Sequence, residues 1–122
     1  MSRGPYPWRT LPEAVSIAQL RGGVREVVRG PESSCDFVII TAVPIAFVRA
    51  RFAPRILATP AEFERDFAPD IISLRSIGAG CGISRELWLR SKHGTWRFFR
   101  VGDNGLVELG RDGRPIGQTP AA

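Results

Sequence analysis

The sequence predicts an α+β fold: a central mixed sheet with helices packed on it, in a single domain spanning residues 10–110. Three observations carry that expectation. Two capping signals, Thr10-Leu-Pro-Glu13 and Thr59-Pro-Ala-Glu62, each open a stretch with apolar residues at helical spacing. Between them lie three short runs of strand-forming residues, punctuated by Gly, Pro and Ser. After the second helix come two or three more strand-like runs, the last pair joined by a hairpin signal.

In chain order, residues 1–9 are rich in Gly, Pro and aromatics and read as a flexible arm. Thr10 caps a helix that runs to about Leu20, with Leu11, Val15 and Ala18 on one face; Gly22-Gly23 stops it. Residues 24–29 (VREVVR) form a short strand and 30–34 a turn. Residues 35–41 and 45–52 follow as two further strands across Ala-Val-Pro, giving an antiparallel meander. Thr59 caps the second helix, with Pro60 in the first position, where its missing N–H is harmless. Phe63, Phe67, Ile71 and Leu74 make its apolar stripe, and Pro69 should kink or divide it. Residues 77–84 form a glycine-rich connector. The strand at 86–90 then re-enters the sheet by a crossover, which permits parallel pairing. Residues 95–101, the turn Asp103-Asn104-Gly105 and residues 106–109 complete a C-terminal hairpin, and 111–122 is a polar tail.

A chain of 122 residues suits one core. No apolar run is long enough to span a bilayer, and the first residues lack the apolar segment of a secretory signal, so a cytoplasmic protein without membrane contact is expected. The formal charge is +5, carried by 16 Arg and one Lys. Guanidinium groups favour two-point contacts with phosphate. A GC-rich genome would equally favour Arg over Lys, but would not produce the positive balance. Cys35 and Cys81 form no CxxC pair and His93 stands alone, which speaks against zinc and against a Ser-His-Asp triad. Cys35 reads as a small buried residue, and both thiols as free. Gly78-Ala-Gly80-Cys-Gly82 follows a helix and precedes a strand, the reverse of a nucleotide loop.

The most informative stretch is 35–52. Alternation along the second strand puts Ile45, Phe47, Arg49 and Arg51 on one face. Asp36 stands near the start of the neighbouring strand. An acid there, beside two functional residues at i and i+2, is the layout of a metal-dependent nuclease centre.

Together with the element order αβββαβ, that layout resembles the core of the PD-(D/E)XK nuclease superfamily, which includes restriction endonuclease-like proteins and archaeal Holliday junction resolvases. The similarity covers about residues 10–100. In that family an acid heads the second core strand and an acid-x-Lys triplet lies on the third. The two acids hold Mg2+, and the Lys positions or activates the attacking water. Here Cys35-Asp36 stands where the family has Pro-Asp, and Arg49-Ala50-Arg51 where it has Glu-x-Lys. Asp36 matches, Arg51 keeps a cation, and Arg49 reverses the charge of the second metal ligand. One carboxylate beside two guanidinium groups is a poor Mg2+ site. The resemblance thus implies a vestigial, non-catalytic centre without a metal cofactor. The alternative is a Mg2+-dependent endonuclease whose second acid comes from the next helix, with Glu62, Glu64 or Asp66 joining Asp36. Glu13, a catalytic position in some relatives, already has a capping role.

Nucleic acid, DNA or RNA, is the partner implied by two basic groups: Arg49, Arg51 and Arg55, and then Arg90, Lys92, Arg97 and Arg100 on the hairpin. Trp88, Trp96, Phe98 and Phe99 interleave with the second group. Trp96, Phe98 and Arg100 share one strand face and Arg97 and Phe99 the other, which favours core packing for the aromatics. For Arg49 the competing role is a salt bridge to Asp36 or to the helix acids. A third reading is a homodimer formed through an aromatic strand edge.

Overall fold

The computed structural model describes residues 5–27, 34–42, 44–78, 80 and 82–116, with side chains described from Arg9 onward. The elements are α1 (Pro5–Gln19), β1 (Val24–Glu26), β2 (Phe37–Ile39), β3 (Ile45–Phe52), α2 (Pro60–Asp66), α3 (Ala68–Arg75), β4 (Ile83–Arg90), β5 (Trp96–Val101) and β6 (Leu106–Leu109). Six strands make one mixed sheet in chain order. The first three form an antiparallel meander. The α2–α3 crossover then lays β4 parallel to β3, and β5 and β6 close the sheet antiparallel. Both the α+β class and the crossover agree with the sequence expectation.

Helices cover both faces. On one, Ala14, Ile17 and Ala18 of α1 pack on Phe37, Ile39, Val48, Trp88 and Phe98. The two alanines let the helix sit close to the strands, and Leu11 and Val15 flank the contact. Trp88 organises this core, with Phe37 and Phe98 edge-on at ring distances of 5.6 and 4.9 Å. On the other face Phe63, Ile71 and Leu74 meet Leu87, Leu89, Phe99 and Val101, with Cys35 as a free, buried thiol. Burial raises the Cys35 pKa, with Asp36 adding to the effect. Cys81 lies outside the described residues.

The predicted division of the long helix occurs at Phe67, just ahead of Ala68-Pro69, which opens α3. The capping box at α2 is complete. Glu62 N–H donates to Thr59 Oγ1 at 3.2 Å, and Thr59 N–H donates to Glu62 Oε1 at 2.8 Å. Thr59→Ala should therefore cost about 1 kcal/mol, read as a lower urea midpoint at unchanged slope.

Other expectations are corrected. Helix α1 begins at Pro5, not Thr10, so residues 5–9 are helical rather than an arm. Pro5 and Pro7 fall in its first turn, where a missing N–H is not felt. Thr10 is buried inside the helix and caps nothing, and Pro12 lies in the interior at the loss of one helical bond. Strand β4 begins at Ile83 rather than 86, because its parallel pairing with β3 extends to Ile45 opposite Ile83. Residues 111–116 do not form a loose tail. Gly110 N–H donates to the Arg114 carbonyl and Ile116 N–H to that of Glu108, which fold the segment back on β6. The end of the first predicted strand, most of the turn after it and residues 117–122 lie outside the described residues.

Two close approaches set the end of the sheet nearest the C-terminus of α1. A Cβ at Gly22 would strike the Thr41 hydroxyl, which accepts from Gly23 N–H at 2.5 Å. Gly113, at φ 85°, lies against the Arg21 guanidinium with no room for a Cβ. Among the described residues, no helix is long and apolar enough to cross a membrane.

Candidate functional site

Asp36 enters the sheet just before β2. Its N–H donates to the Val48 carbonyl at 2.8 Å, and its own carbonyl accepts from Val27 N–H at 3.0 Å. With the backbone fixed on both sides, the carboxylate is aimed along β3. Its Oδ2 accepts from Ala50 N–H at 2.8 Å and from Arg51 Nη1 at 2.9 Å.

Strand alternation turns Ala46, Val48 and Ala50 to the α1 core and leaves Arg49 and Arg51 on the α3 side. There both Nε atoms donate to one oxygen, Oδ1 of Asp70, at 2.9 and 3.0 Å. Two guanidinium groups and two carboxylates thus share a partly buried, charge-neutral cluster. The sequence placed Asp36, Arg49 and Arg51 together, and the structure brings them together. It missed Asp70. The available signal was Pro69: a proline that divides a helix creates a new N-terminal turn, where the helix dipole favours a carboxylate.

The acids offered as a relocated metal ligand go elsewhere. Glu62 closes its cap and lies 3.7 Å from Arg55. Asp66 pairs with Arg55 at 2.9 Å, and Glu64 lies 3.8 Å from Arg75. Helix α2 buries Phe63 against the sheet, and that rotation points these acids at surface arginines instead of Asp36. Among the described residues, no three His, Cys, Asp or Glu side chains are grouped so as to hold a metal ion. The donor set around Asp36 does not fit Mg2+: its second carboxylate is bridged by two cations, which a dication would have to displace.

Most of the arginines singled out for nucleic acid have internal partners. Arg90 is buried on the α1 face and grips Glu13 with Nε and Nη2 at 2.8 and 2.9 Å. That pairing replaces the predicted capping role of Glu13, since a bidentate charged contact outweighs a single cap bond. It also puts Glu13 on the opposite face of the sheet from Arg49 and Arg51. Arg97 takes both Glu108 oxygens at 2.9 and 2.8 Å and the carbonyls of Ile56 and Ala58 at 2.8 and 2.7 Å. Arg55 is exposed and carries Asp66, while Lys92 is exposed in the β4–β5 turn. Arg100 has a weaker contact, 3.3 Å to Ser84 Oγ. The hairpin is accordingly not a stacking platform. Trp88, Phe98 and Phe99 are buried, and β4 and β5 are interior strands, so they offer no aromatic edge to a second copy.

Glu13 has a testable acid signature. The hydrogen bond from Arg90 holds its carboxyl below the usual glutamate range, against an opposing effect of burial. A carboxyl depressed in the folded state stabilises the fold above its unfolded pKa, and that contribution fades as pH falls through the folded value. Stability should therefore decline below the ordinary glutamate range, and Glu13→Gln should flatten that decline in urea midpoints measured from pH 7 to about 3.

A second residue escaped the sequence reading. Glu86 on β4 is 0% exposed. Arg21 holds it with Nη1 and Nη2 at 2.9 and 3.2 Å, Ser84 Oγ donates at 2.7 Å and Trp88 Nε1 at 2.9 Å. The signal was there: Ser84, Glu86, Trp88 and Arg90 alternate in a strand whose crossover position demands burial on both faces. No known family model, curated protein or solved structure matches this chain.

Proposed function

We propose that the chain is a nuclease-like, non-catalytic domain that binds DNA or RNA in the cytoplasm. The observation that carries this reading is the Asp36–Arg51–Asp70–Arg49 cluster, which stands where a hydrolytic relative would hold its metal. Hydrolysis needs a metal-bound or base-activated water. The carboxylate oxygens turned into the cluster accept from guanidinium groups, and arginine cannot serve as a base. The αβββ order followed by a helical crossover to a parallel strand supports the nuclease-like architecture. The formal charge of +5 supports a polyanionic partner.

Fluorescence anisotropy with labelled single- and double-stranded DNA and RNA, over a salt series, tests the reading. Affinity should fall linearly with salt on logarithmic axes, and Mg2+ or Mn2+ should produce no cleavage. Absence of salt-dependent binding near physiological ionic strength would remove the binding half. Cleavage that vanishes in Asp36→Ala would remove the non-catalytic half.

A further inference from the structure

The arginines on the page with the least internal engagement converge at one place, and it is not the vestigial centre. A groove of about 660 Å3 opens between the C-terminal end of α1, residues 41–44 and the segment after β6. Arg21, Arg100, Arg111 and Arg114 all line it. Arg21 forms a rigid wall, because the buried Glu86 clamps its guanidinium from behind. Gly113 packs on that guanidinium, which holds the 111–115 segment over the groove. Arg114 is 87% exposed, with Asp112 only at 3.9 Å. Arg111 lies over Phe98, 5.9 Å from the ring centre. Four cations against Asp112 and Glu86 leave a formal +2 (4 − 2) around the groove. Leu20, 85% exposed at its mouth, supplies an apolar surface for a base.

We infer that this groove is a phosphate site, taking a nucleotide unit with its phosphate among Arg100, Arg111 and Arg114 and its base toward Leu20. The inference rests on the nucleic-acid reading above and locates it. The volume falls in the roughly 300–1,000 Å3 range of small-ligand sites. The same phosphate chemistry could come from a strand of nucleic acid or from a free nucleotide, and the experiment separates them.

The test compares the parent chain with a triple variant, Arg100→Gln, Arg111→Gln and Arg114→Gln, and with Arg55→Gln as a surface-charge control. The triple variant leaves the Arg21–Glu86 pair intact, and circular dichroism melting checks that the fold survives. Titrating a labelled single-stranded oligonucleotide, the triple variant should lose about a hundredfold or more in affinity. Its logarithmic salt slope should shrink by about 2, at roughly 0.7 per phosphate contact on a single strand. Arg55→Gln should stay near the parent. An affinity for the folded triple variant within about threefold of the parent would overturn the site while leaving nucleic-acid binding standing. A parent that binds no oligonucleotide would instead overturn the functional reading. Adenosine monophosphate is then titrated with amide NMR: shifts at Thr41 and Gly113 would support a free-nucleotide site, and their absence would overturn the groove as well.

Discussion

Glu86→Ala should destabilise the domain by about 3–5 kcal/mol, the range for removing one partner of a buried ion pair. The carboxylate is wholly buried and accepts four hydrogen bonds, from Arg21, Ser84 and Trp88. Its removal leaves a guanidinium, an indole N–H and a hydroxyl in the α1 core without their acceptor, and each loses desolvation that was previously compensated. Glu86→Gln keeps the shape and part of the bonding, so its cost should be smaller. Urea unfolding measures both. A double variant, Glu86→Ala with Arg21→Met, should cost less than the sum of the single changes, because the second change removes the stranded charge. Additive costs would show that the two side chains do not act as a pair.

Arg97→Ala should cost about 3 kcal/mol, in line with charge-assisted bonds worth roughly 1.5–3 kcal/mol each, less the freedom the side chain regains. Arg97 ties three separate segments. Its guanidinium holds Glu108 on β6 and the carbonyls of Ile56 and Ala58 in the loop before α2. It also lies 5.2 and 5.1 Å from the ring centres of Phe63 and Phe99. Its loss would free the α2 entry loop and leave Glu108 facing an apolar ring. The same variant should bind nucleic acid with an unchanged salt slope, since this arginine faces inward. Urea unfolding gives the first quantity and anisotropy the second; a reduced slope with unaltered stability would reverse the assignment.

Arg97 also shows where sequence reading stops. Composition marks it as basic and alternation assigns its strand face, but neither identifies a partner 39–41 residues away. Features written in local chemistry were legible: the Thr59 cap, the helix break at Pro69, the exact span of β3, and the crossover that makes β4 parallel. The Thr10 signal misled because the same local pattern can be overridden at long range, here by Arg90 reaching Glu13 across 77 positions. At the candidate site, Asp36 and the two arginines were legible because strand period fixes relative placement. Asp70 was not, because which helix acid meets the strand depends on how α3 rotates on the sheet. The groove arginines were hidden for a similar reason: residues 111–116 fold back by two backbone bonds that polar composition does not announce.

The charge-neutral cluster is the point on which the functional reading turns, and isothermal titration calorimetry with Mn2+ probes it most directly. The parent chain should give no saturable heat into the millimolar range, and Asp36→Asn should give the same trace. Stoichiometric, saturable Mn2+ binding that disappears in Asp36→Asn or Asp70→Asn would mean that these carboxylates release their arginines to a metal, and that the centre is not vestigial.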